Sequence, residues 1–294
     1  MDKNNKSSGK SRKLNLAYFV WDTSVVDFEK TYREVAAAGV RSIMLDARRG
    51  NLDLEKREDA AAARRILSRL GLAAPACHGL YSGACHLTEE DPATRKIILG
   101  RHLGFMANAA GLGAKTYVIH VGFGTWPGPE RKRAAWDRVR GALDILAPEA
   151  QALGIVLALE NGFTADFLIQ SAAELLEFVE GYGHPAVGIC YDSGHANISG
   201  GAIPVLETLA PHVVTMHLHD NDGREDQHLV PGEGTIDWRA LVPVIAMCPR
   251  LIHLETEAAN SSQWSFTKKV RPVAEIYRRY LDVLNGPESG LACR

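Results

Sequence analysis

The strongest constraint on this chain is an alternation. Eight short apolar, strand-like runs recur along it, at residues 14–20, 41–45, 74–77, 116–120, 155–159, 187–190, 213–218 and 251–254. None alternates strictly between apolar and polar residues, as expected of strands buried on both faces. Helical periodicity fills the intervals. Stretches 28–38, 60–70, 97–110 and 134–153 each stop at a glycine, namely Gly39, Gly71, Gly111 and Gly154. Ser171 and Glu174 make a capping box ahead of Leu175. Helices around 204–210, 238–246 and 267–284 complete the set. Strand then helix, eight times in 294 residues, is the arithmetic of a single-domain α/β fold, the (β/α)8 or TIM barrel. The rival, a doubly wound sheet, wants a glycine-rich phosphate loop after its first strand, where Trp21, Asp22 and Thr23 stand instead.

The barrel is expected over residues 14–286, between a solvated basic tail (1–13) and a short C-terminal tail (287–294). The first 13 residues carry five cationic side chains, and the apolar run after them is too short for a signal peptide. Lys and Arg number 33 against 35 Asp and Glu, a net charge of −2. A dedicated nucleic-acid binder would lean on a basic face, so that class is disfavoured. No apolar run approaches the length that spans a bilayer. The five cysteines are scattered and form no C-x-x-C pair, so neither a disulfide framework nor a thiolate zinc site is expected, and a reducing cytoplasm is the expected compartment.

In such a barrel the carboxyl ends of the strands face the active site. Those positions read His78, His120, Glu160, Asp192 with His195 three residues on, His217, Asp226 with His228 in the next loop, and Glu255. Each alone is an ordinary residue. His120 could sit in a core, and Asp192 could merely cap a turn. Together they form a set of His, Asp and Glu that suits zinc, manganese or cobalt, with no part for cysteine. Nine converging groups exceed the needs of one ion and would fill three sites with shared carboxylates.

The segments that carry these residues are Leu157-Ala-Leu-Glu160-Asn161, Tyr191-Asp-Ser-Gly-His195, Met216-His-Leu-His-Asp220, Asp226-Gln-His228 and Leu254-Glu-Thr256. To them is added Pro231-Gly-Glu-Gly-Thr-Ile-Asp-Trp238. In these segments the chain resembles the xylose-isomerase-like TIM-barrel superfamily, which includes the endonuclease IV type of apurinic endonuclease. The resemblance implies two alternatives. In the endonuclease branch all nine residues hold three zinc ions: His78, His120 and a bridging Glu160; Asp192, His217 and Glu255; and His195, Asp226 and His228. In the sugar isomerase and epimerase branch Glu160, Asp192, His217 and Glu255 hold one divalent ion, and Glu160 and Glu255 move a proton on opposite faces of a carbon.

The filled histidine positions 78 and 120 favour the first branch, because a one-ion isomerase has no obvious use for them. Tyr81 matches a DNA-inserting tyrosine of the endonucleases, but Ser82 follows where an apolar wedge would be needed. His219 replaces an Asn of their pattern, and Arg48 and Arg49 are the only candidates for phosphate contact in the second strand's loop. Tyr81 and His219 are thus expected to touch substrate. The expectation is a metal-dependent phosphoester hydrolase, a phosphodiesterase acting on a small phosphodiester such as the nucleotide loop of a cobamide. The alternative is a divalent-metal-dependent sugar or sugar-phosphate isomerase or epimerase. Asp220 and Glu257, next to proposed ligands, are expected to orient them.

Overall fold

A computed structural model describes residues 14–20, 26–81, 85–258 and 266–285. Both expected tails, the Trp21-Asp22-Thr23 segment, Ser82 and Cys293 lie outside the described residues. The first strand, β1 (Leu16–Phe19), is followed by α1 (Phe28–Ala37) and β2 (Ser42–Leu45). A small hairpin, β3 (Arg48–Arg49) with β4 (Leu52–Asp53), then leads into α2 (Arg57–Leu70), β5 (Ala73–His78), α3 (Pro92–Leu112) and β6 (Thr116–Ile119). Next come α4 (Pro129–Leu153), β7 (Val156–Glu160), α5 (Ala172–Tyr182), β8 (Val187–Asp192), α6 (Ser193–Ser199) and α7 (Ala202–Leu209). The chain closes with β9 (Val213–Leu218), α8 (Trp238–Ala246), β10 (Leu254–Thr256) and α9 (Phe266–Asn285). Eight parallel strands form a closed barrel in the order β1-β10-β9-β8-β7-β6-β5-β2, which excludes the open doubly wound sheet.

Local chemistry sets most of the boundaries. Asp27 and Asp91 accept from the backbone N–H groups of Lys30 and Thr94 and so start α1 and α3. Ser171 Oγ accepts from Glu174 N at 3.2 Å, while the Glu174 carboxylate reaches Gln170 N at 3.0 Å, one residue before the expected return bond. Gly71 and Gly154 end α2 and α4 with left-handed φ of 66° and 69°. The stop expected at Gly111 lies two residues further on, because Gly111 keeps helical geometry and Gly113 (φ 109°) takes the left-handed cap.

The period of two along each strand places the polar ends. Ala76, Val118, Ala158 and Cys190 are buried in small clusters inside the barrel. Two residues on, on the same face, stand His78, His120, Glu160 and Asp192. Register pairs Asp192 with His217 and His217 with Glu255 across neighbouring strands. The helices pack their apolar faces on the outer strand faces through one continuous core.

Not every histidine serves that end. His102 in α3 is buried, with Nδ1 3.1 Å from the Tyr117 hydroxyl and Nε2 3.1 Å from the Cys85 carbonyl. Burial lowers its pKa from the usual 6.5 to about 4. Between those values the unfolded chain binds more protons than the native one, so stability is intact above pH 6.5 and is lost as pH falls towards 4. The loss is about 3 kcal/mol. Urea unfolding at pH 7 and pH 4 should show this slope in the parent, and His102→Gln should lack it; equal slopes would assign the acid sensitivity elsewhere.

The four described cysteines, Cys77, Cys85, Cys190 and Cys248, are buried. No helix among the described residues is long and apolar enough to cross a membrane.

Candidate metal centre

Glu160, the last residue of β7, lies at the middle of the cluster. Its Oε1 is 3.4 Å from both His195 Nδ1 and His217 Nδ1, and its Oε2 is 2.8 Å from His120 Nε2 and 3.8 Å from His78 Nε2. His217 Nδ1 is the point of convergence. Glu160 Oε1 and Glu257 Oε1 each lie 3.4 Å from it, and Asp192 Oδ2 lies 3.9 Å away. Two ligands about 2.1 Å from a tetrahedral ion stand about 3.4 Å apart, which is the separation of His217 Nδ1 from Glu160 Oε1 and from Glu257 Oε1.

Electrostatics support the same reading. His217 Nδ1, His219 Nδ1, Asp226 Oδ1 and Glu257 Oε1 are buried without a hydrogen-bond partner. Orphaned buried polar atoms are costly, and bound cations would satisfy them. Burial pushes the Glu257 carboxyl up to about 8. Burial also raises Glu160, but the His120 and His217 charges outweigh it and hold that carboxyl well below the usual range. Burial lowers His78 to about 3, so it is a neutral ligand-type imidazole.

The rings are aimed from behind. With Nδ1 protonated, His78 donates to Gly79 O (3.1 Å), His195 to Asn161 O (2.8 Å) and His228 to Glu257 O (2.9 Å). That back-bonding to a carbonyl is what metal-ligating histidines commonly show. Asp192 caps α6 by accepting from His195 N at 2.7 Å, so the capping role and the site role belong to the same carboxylate. Gly194 is required: a Cβ there would lie 2.0 Å from His219 Cε1. His228 is the one described non-glycine residue with positive φ (49°), held by its two ring hydrogen bonds and by stacking on His219 at 4.0 Å. Donor sets suited to a metal are His78–Glu160–His217, Glu160–Asp192–His195, Asp192–His219–Glu257 and His219–Asp226–His228.

Neither His120 nor Glu255, both expected as ligands, is in these sets. The Glu255 carboxylate lies deeper in the barrel, where Oε1 accepts from Thr215 Oγ1 at 2.5 Å and meets His253 Nε2 at 3.0 Å, and Oε2 is 3.0 Å from His217 Nε2. Glu257, two residues on and on the same strand face, faces the cluster in its place. His219 lies beside Asp192, with Nε2 3.1 Å from both carboxylate oxygens. Asp220 braces the loop that follows: Gly232 N, Trp238 Nε1, Asn221 N and Ile236 N all donate to it.

A cavity of about 440 Å3 opens over the cluster, lined by His78, Tyr81, His120, Glu160, His195, Asp226, His228 and Glu257. Phe123, Phe163 and Phe167 form its apolar wall, with Phe123 and Phe167 centroids 4.1 Å apart and Phe163 4.4 Å from His195. Sequence reasoning missed this wall, because its rings come from the loops after two different strands. No Lys or Arg lines the cavity among the described residues. Arg49, which could have contacted phosphate or simply been solvated, is buried and bidentate to Asp46 (3.2 and 2.6 Å). A phosphodiester would therefore meet carboxylates, imidazoles and phenyl rings but no Lys or Arg among the described residues.

Solved structures of similar fold include a D-psicose 3-epimerase from Clostridium cellulolyticum H10 (TM-score 0.72, 17% identity, covering 92% of this chain and 99% of that one). Another is a 3-keto-D-glucoside 4-epimerase from E. coli (TM-score 0.71, 18% identity, 92% and 99%). The uncharacterized protein y4fM of Sinorhizobium fredii is 28% identical over 212 residues, 62% of this chain; the chain spans 65% of that relative's length. The sequence model of the xylose isomerase-like TIM barrels matches residues 32–284. The chain belongs to the xylose isomerase-like TIM barrel family.

Proposed function

We propose that this protein is a divalent-metal-dependent isomerase or epimerase acting on a small, neutral keto sugar. The reading is carried by the convergence of Glu160, Asp192 and Glu257 oxygens on His217 Nδ1, beneath a cavity that no described Lys or Arg lines. Sugar epimerases of similar fold support it. They and the lining of the cavity also overturn the expectation of a phosphoester hydrolase, and with it the cobamide substrate.

Glu160, Asp192, His217 and Glu257 would hold one divalent ion. When bound, such an ion polarises a carbonyl and so acidifies the neighbouring C–H. Glu160 and Glu257 both face the cavity, from β7 and from just after β10. From there one carboxylate takes the proton from the carbon beside the carbonyl, and the other returns a proton to the opposite face. Positioned acid–base groups of this kind contribute about 10²–10⁴-fold. Phe123, Phe163 and Phe167 cover the apolar face of the sugar and exclude water. Among the described residues no Lys or Arg lines the cavity to place a phosphate.

The test is incubation of the protein with manganese, cobalt or magnesium and a panel of ketoses in D2O. Deuterium should enter at a carbon flanking the carbonyl, as read by NMR. No incorporation into any member of the panel, with metal bound, would end this reading.

A further inference from the structure

A second cavity, of about 290 Å3, opens beside the first, between the β2 end and the start of α3. Tyr81 lines both, so one side chain is the wall between them. One face of its ring packs edge-on against His78, with centroids 4.6 Å apart, and its hydroxyl is hydrogen-bonded to Asp46 in the second cavity. The combined space falls within the range of small-molecule sites, about 300–1,000 Å3, and exceeds what a single hexose needs.

The lining of the second cavity is polar, and its charges are matched. Arg101 is bidentate to Glu55, with Nε–Oε2 at 2.8 Å and Nη2–Oε1 at 2.9 Å. Asp46 is bound by Arg49 at 2.6 Å, and Arg48 is 3.6 Å from Asp53. An anionic group bound at Arg101 would have to displace Glu55 from its guanidinium and would face Asp46 and Glu55 as like charges. A neutral polyhydroxylated ring needs no such displacement. It can use the free lone pairs of these carboxylates and stack its C–H face on Tyr81, the usual combination of an aromatic surface with a few fixed polar groups.

We propose that the preferred substrate is a keto sugar joined to a second neutral sugar ring. The keto unit lies over the carboxylate cluster and the second ring occupies the cavity beyond Tyr81. This rests on the epimerase reading above and specifies its substrate class.

The test compares solvent deuterium incorporation into maltulose and isomaltulose, which are fructose units bearing a glucosyl ring, with that into fructose and fructose 6-phosphate. The expected result is a kcat/KM for at least one glucosyl-fructose about tenfold or more above that for fructose, the equivalent of one added set of ring contacts. In Ala47→Trp, which fills the second cavity, that preference should fall to near unity through KM. Arg48→Trp, at the exposed rim, should do the same if the first variant does not fold. Fructose or its phosphate outpacing both glycosides, or a preference that survives in a folded filled-cavity variant, overturns the second-ring site alone. Absence of exchange from every ketose overturns the epimerase reading beneath it as well.

Discussion

Glu257→Gln should lower kcat by about 10²–10⁴-fold, the range removed when a positioned acid–base group is lost. It should also strip the bound ion, because Glu257 Oε1 is one of three oxygens set around His217 Nδ1. Glu255→Gln should behave differently. Its carboxylate touches His217 on the far nitrogen, so its loss should loosen the ring and weaken metal binding by about 10–100-fold without removing a ligand. Metal titration of both variants, followed by deuterium exchange at saturating metal, separates the two roles. At saturation Glu255→Gln should recover most of its turnover and Glu257→Gln should not. The reverse pattern would return the ligand role to Glu255.

Removing the metal should be the second large effect. The apo protein holds Glu160, Asp192, Glu255 and Glu257 in one buried region with several donors unsatisfied. An ion that binds only the folded state at a hundred times its Kd adds about 2.7 kcal/mol. For a domain of this size that corresponds to about 5–10 °C in Tm. Chelation followed by dialysis should lower Tm by that amount and abolish exchange, and manganese or cobalt should restore both. Elemental analysis should find one tightly held ion per chain. A stoichiometry of three would contradict the single-ion centre, and an unchanged Tm with no metal found would contradict a metal centre altogether.

Much of this was legible before the fold was known. The eightfold alternation is a property of the chain, and strands buried on both faces can be covered in few ways. The strand-end rule then picked out His78, His120, Glu160, Asp192, His195, His217, Asp226 and His228, all of which the structure gathers around one cavity or directly beneath it. What the sequence could not separate was Glu255 from Glu257. Both follow the same period of two and point to the same interior face. Glu257 lies two residues nearer the mouth, but which of the two heights meets the carboxylates and imidazoles of neighbouring strands depends on strand stagger, and no single-strand pattern records that.

The reaction class was illegible for a related reason. Zinc hydrolases and one-ion isomerases draw on the same residue types, so a roll of His, Asp and Glu does not choose between them. The choice depends on what faces the substrate, and that is assembled from separate loops. Phe123 and Phe167 are 44 positions apart in number yet pack edge to face with centroids 4.1 Å apart, and Arg49 spends its guanidinium on Asp46 instead of on a ligand. The sequence by itself therefore determined the barrel, the family and the ends of the strands where the chemistry gathers, because local periodicity and residue type encode them. Only the tertiary structure decided which carboxylate faces His217 Nδ1 and that no described Lys or Arg lines the cavity above it, because both depend on strand stagger and on loops meeting in space.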